Sequence, residues 1–88
     1  PLAEAPERPA PDDVEATVVE TLGAERVRAL CDRLSDDQRD VLLMRLLGRL
    51  TIDEIAARMG RTSGSVKALQ RRGLVAIAGM ISREGVPL

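Results

Sequence analysis

Apolar residues recur along this chain at helical rather than strand spacing. Val14, Val18 and Leu22 fall on one face behind the acidic pair Asp12 and Asp13, and Gly23 closes that run. Val27, Leu30, Cys31 and Leu34 follow at the i, i+3, i+4, i+7 spacing of an amphipathic helix. Ser35-Asp-Asp-Gln38 then has the form of a capping box, with the serine hydroxyl accepting a backbone amide and the glutamine reaching back. The helix it opens is predicted to run to about Leu47, with Gly48 as its stop. Its second half, Val41 to Leu47, is apolar on more than one face. That pattern fits a central place in a bundle and equally a surface kept for a partner.

Thr51-Ile-Asp-Glu54 is a second capping box. Ile52, Ile55, Ala56 and Met59 form the buried stripe of the helix it starts, and Gly60 suits the left-handed residue that ends it. Arg61 continues the turn, and Thr62 or Ser63 caps a last helix. There Val66, Leu69, Gly73, Ile77 and Met80 or Ile81 share a face, broadened by Leu74. Pro87 prevents continuation past Gly85. No segment alternates apolar and polar residues with β-branched enrichment. The expected fold is therefore all-α, a small helical bundle with a C-terminal helix-turn-helix. Residues 1–11, with four of the five prolines, read as a disordered linker, 12–85 as the helical domain and 86–88 as a tail.

Composition narrows the possible chemistry. The 88 residues contain no aromatic side chain, no histidine and one cysteine. Base stacking on aromatic rings is closed to such a chain, and so are His-dependent catalysis and the usual zinc sites. Asp12-Asp13 and Asp36-Asp37 resemble carboxylate pairs, but each pair stands at a helix start, where it offsets the helix dipole. Cys31 lies on an apolar stripe and reads as core. No enzyme activity, cofactor or metal is expected. No apolar run approaches the roughly 20 residues of a membrane-spanning helix, and no secretory signal pattern is present. A cytoplasmic setting, without membrane contact or a stable homo-oligomer, follows as an expectation. The initial Pro in place of Met suggests a fragment or processed chain.

The formal net charge of −1 conceals a gradient. Residues 1–40 carry eleven acids against five arginines, a net of −6, whereas 41–88 carry eight bases against three acids, a net of +5. No acid occurs between Glu54 and Glu84. A basic half of this kind is the electrostatic footprint of a phosphate-binding surface.

Two helices separated only by Gly60, Arg61 and Thr62 must cross steeply, as in helix-turn-helix units whose second helix enters the major groove of duplex DNA. If Val66 and Leu69 bury that helix, then Ser63, Gly64, Lys67, Ala68 and Arg71 face outward, the small Gly64 and Ala68 permitting close approach. Thr62, Ser63 and Ser65 sit at the helix N-terminus, where backbone amides and the dipole favour phosphate. Arg61 and Arg72 stand at the margins, suited to phosphate rather than base contact. Lys67 is the best candidate to read a base, through guanine O6 and N7, while Gln70 lies between the buried and exposed faces.

The segments Leu34-Ser-Asp-Asp-Gln-Arg-Asp-Val-Leu-Leu43, Gly48-Arg-Leu-Thr-Ile-Asp-Glu-Ile-Ala-Ala-Arg-Met-Gly60 and Arg61-Thr-Ser-Gly-Ser-Val-Lys-Ala-Leu-Gln-Arg-Arg72 resemble region four of bacterial RNA polymerase sigma factors, especially the extracytoplasmic-function type. The resemblance covers about Ala24 to Ile81. It implies a four-helix domain that reads the minus-thirty-five element of double-stranded promoter DNA and docks on the β flap of core RNA polymerase. It also implies an anti-sigma factor or regulator as a partner. Ser63, Gly64, Lys67, Ala68 and Arg71 match the family's DNA-facing positions, and Arg61 and Arg72 its flanking phosphate positions. Gly73 departs from the alanine common there and is expected to loosen the helix by about 1 kcal/mol. The aromatic residues the family uses to melt DNA have no counterpart in this chain. Two rival readings remain. One is the helix-turn-helix output domain of a response regulator, which binds paired half-sites as a dimer; the other is a pure interaction module.

Overall fold

The computed structural model describes residues 18–84, all of whose regular structure is helical. Residues 18–22 form a helical turn that ends at Gly23, whose φ of 86° only a residue without Cβ adopts freely. The earlier start predicted for this helix, at Asp12 and Asp13, lies outside the described residues, as do the linker and the tail. Helix α1, Ala24–Cys31, follows directly, its amphipathic spacing burying Val27, Leu30 and Cys31. It stops before Leu34 because the amides of Arg33 and Leu34 turn back to the carbonyls of Leu30 and Cys31. That tighter turn still lays Leu34 against the core.

Helix α2, Asp36–Leu42, begins at Ser35, whose hydroxyl accepts the Gln38 amide at 3.3 Å; of the predicted capping box only this half is made. The run ends near Leu47 as its pattern predicts, but its last turn, Leu43–Leu47, is a π-helix closed by the bond from the Gly48 amide to the Leu43 carbonyl. Gly48 is not the left-handed residue expected of a helix stop, since its φ is −79°. The left-handed position passes to Arg49, at φ 58°. Gly48 is needed for another reason: a Cβ there would stand 2.8 Å from the Met44 carbonyl oxygen. The Arg45 guanidinium donates to the Leu50 carbonyl at 2.7 Å and ties the connection down.

The two remaining helices are α3, Ile52–Met59, and α4, Ser63–Glu84. At 1.5 Å per residue α4 is about 33 Å long, and it runs past all the others. The core divides into two clusters joined by α2 and α4. In one, Val27, Leu30 and Cys31 of α1 meet Leu42, Leu46, Ile77 and Met80. In the other, Val41 packs with Ile55, Ala56 and Val66. The apolar excess of Val41 to Leu47 is thereby absorbed: Leu43 and Leu47 pack on the first cluster and Met44 on the second. Burial pushes the Cys31 thiol up to about 11, with Asp32 adding to the effect, which suits the core role read from its stripe.

Gly73 reverses its expected meaning. A Cβ there would lie 2.8 Å from Cδ1 and 3.2 Å from Cγ of the fully buried Leu42, so glycine lets α4 press against α2. The contact offsets the helix propensity that glycine gives up. No helix among the described residues is long and apolar enough to cross a membrane.

Candidate nucleic-acid interface

The geometry of the helix-turn-helix starts with its caps. Thr51 Oγ1 accepts the Glu54 amide at 3.1 Å and the Glu54 carboxylate accepts the Thr51 amide at 2.8 Å, so both halves of the box are made. These bonds hold the Glu54 carboxyl below its ordinary range, the Thr51 amide contributing most. Gly60 takes the left-handed conformation, φ 66° and ψ 37°, and its amide and that of Arg61 both return to the Ala56 carbonyl. Thr62, rather than Ser63, caps α4, its hydroxyl accepting the Ser65 amide at 3.1 Å. Val66 and Leu69 pack against Ile52, Ile55 and Met59, fixing the rotation of α4 about its axis.

That rotation decides what faces outward. Gly64, Lys67, Arg71 and Arg72 are exposed, while Ser63, Ser65 and Ala68 are half-buried along the same side. A Cβ on Gly64 would meet nothing within 4 Å, so packing among the described residues does not require its small size. Ala68, Arg71 and Arg72 line a shallow groove of about 400 Å³ with Ala76 and Val75, the latter an exposed large apolar side chain. Among the described residues Lys67, Arg71 and Arg72 have no hydrogen-bonded or ion-paired partner and keep their charges available. Gln70 is turned inward, with Oε1 shielded and unbonded.

Arg61, Ser63 and Ser65 are engaged within the fold. The Arg61 guanidinium pairs with Asp37 of α2 and donates to Ser65 Oγ at 3.2 Å. Ser63 donates its hydroxyl to Asp53 Oδ1 at 2.6 Å. Sequence reasoning assigned Asp37 only to the helix dipole and gave Asp53 no role. Each meets its partner across a tertiary gap that periodicity does not encode.

Comparison with known proteins bears on the same stretch. The family model described as Sigma-70, region 4, matches residues 24–77, well over half of the chain. Three curated relatives, each named ECF RNA polymerase sigma factor SigD, come from Mycobacterium bovis and two strains of Mycobacterium tuberculosis. Each is 33% identical over 60 residues, covering 68% of this chain and 28% of the relative's length. No solved structure matches. With the family model lying over the four helices and the turn between α3 and α4, the chain belongs to the sigma-70 region 4 family.

Proposed function

We propose that this chain is the promoter-reading domain of an extracytoplasmic-function sigma factor, working in the cytoplasm where promoter DNA is found. In this reading α4 enters the major groove at the minus-thirty-five element. Lys67 reads a base edge, Arg71 lies on the same face, and Arg61 and Arg72 contact phosphate on either side. Gly64 and Ala68 let the helix approach, and the first turn, Thr62, Ser63 and Ser65, lies beside the DNA backbone. Docking on the β flap of core RNA polymerase delivers the domain to DNA, and an anti-sigma factor covers the same surfaces when transcription is to be withheld.

One observation carries the reading. The face of α4 opposite its buried stripe presents Lys67, Arg71 and Arg72 without partners among the described residues, on a stretch with no acid from Ile55 to Arg83. A merely solvated helix face mixes charges of both signs; this one does not.

The test is footprinting of promoter DNA by core polymerase carrying this domain in its full-length sigma factor, with and without Lys67→Ala. The expected outcome is one protected minus-thirty-five site and a loss of about 1–3 kcal/mol in binding when the lysine is removed. Symmetric paired half-sites would instead assign the chain to the dimeric, response-regulator type of helix-turn-helix. Unchanged affinity in a folded Lys67→Ala variant would remove the base-reading role.

A further inference from the structure

The cations around the turn fall into two classes. Lys67, Arg71 and Arg72 have no partner among the described residues, whereas Arg61 is held by a carboxylate from another helix. Asp37 reaches Arg61 across 24 positions of sequence, and Ser65 Oγ fixes the other terminal nitrogen at 3.2 Å. The guanidinium that would meet a phosphate beside the N-terminus of α4 therefore already carries an anion.

We infer that Asp37 is a built-in competitor of DNA phosphate: Arg61 joins the DNA interface only by exchanging the Asp37 carboxylate for a phosphate oxygen. This rests on the reading given under Proposed function. The guanidinium fork matches carboxylate and phosphate in the same way, so the two anions contend for the same donors. The side chains of Arg61 and Asp37 are 36% and 48% exposed, so no burial blocks the exchange. Solvent screens a pair this open, so a phosphate can contend for the guanidinium, yet each complex that keeps the Asp37 pair forgoes one phosphate contact. The free chain is thus held off duplex DNA by one phosphate contact.

Salt dependence counts phosphate contacts, and it supplies the test. The 88-residue chain is titrated with a fluorescein-labelled duplex of about 25 base pairs and arbitrary sequence, between about 50 and 200 mM salt, by fluorescence anisotropy. Asp37→Asn is expected to bind about two- to fivefold more tightly at the lowest salt. Its slope of log K against log salt should be steeper by up to about 0.9, the value for one whole added phosphate. The double variant Asp37→Asn with Arg61→Ala should match Arg61→Ala alone. Asp36→Asn removes the same charge from the neighbouring position, which pairs with Arg39 and not Arg61, and should leave the slope unchanged. Weaker binding by Asp37→Asn would make Asp37 a residue that positions Arg61, and overturns the inference. So does a gain that survives without Arg61, or an unchanged slope while the wild-type chain binds. Failure of every variant to bind at the lowest salt also overturns the inference, since Asp37 then has no phosphate to compete with, whereas the promoter-reading proposal stands or falls on the footprint made with core polymerase.

Discussion

Three glycines of the helix-turn-helix region do three different things, and two of them can be separated by one methyl group. Gly60 supplies the left-handed turn. Gly73 makes room for Leu42, so Gly73→Ala is expected to destabilise the fold by about 1 kcal/mol, overpacking outweighing the gain in helix propensity. A Cβ on Gly64 would meet nothing among the described residues. Gly64→Ala should therefore stabilise the fold by about 0.5 kcal/mol while, under the proposed function, weakening duplex binding, because the added methyl group then stands where DNA approaches. Urea denaturation read by circular dichroism, beside an anisotropy titration, checks both substitutions. Stability changes of opposite sign at two glycines of one helix would establish that α4 is pressed against protein at one and open at the other. The exposure of Gly64, Lys67 and Arg71 could be read from the sequence, since a period of 3.6 sorts residues into faces. The need for glycine at position 73 could not, because it depends on a side chain from a different helix.

At the scale of the element, caps were legible and the π turn was not. Ser35 and Thr51 act on amides three residues ahead, so type and spacing identify them in the sequence. Val41 to Leu47 is apolar on several faces and gives no period that distinguishes a four-residue from a five-residue repeat. The extra residue of the wider turn distributes this run between the two clusters, and it moves the left-handed position from Gly48 to Arg49. An L-residue pays roughly 1–2 kcal/mol in that conformation, partly recovered by the larger chain entropy that glycine would lose on folding. Arg49→Gly is accordingly expected to raise stability by about 0.5–1 kcal/mol, seen as a higher urea midpoint with an unchanged slope. Gly48→Ala should do the opposite, because its methyl group runs into the Met44 carbonyl. Asp37 and Arg61 lay beyond such reasoning for the same cause as Gly73: they meet only when α2 and the turn before α4 come together.

Across the whole molecule, α4 closes the bundle at its far end through Glu84, which accepts from Arg26 at 3.3 Å and from Arg33. The Arg33 hydrogen bond above all holds the Glu84 carboxyl below its ordinary value of 4.5. A lowered folded value means stability that is present above the unfolded value and is lost as pH falls below 4.5 through the folded one. Glu84→Gln should thus lower the urea midpoint at neutral pH and lower it progressively less as pH falls below 4.5; a loss that does not shrink with falling pH would show that the contact acts through packing rather than charge. One helix thereby spans both clusters, anchors the first helix at one end and carries near the other the cations that have no partner among the described residues. Its inward and outward faces share a backbone and no side chains. That separation has an evolutionary consequence. Substitutions at positions 64, 67 and 71 leave the buried positions 66, 73, 77, 80 and 81 untouched, so under the proposed function gene duplicates of this chain can diverge in target preference by single steps, each nearly neutral for folding.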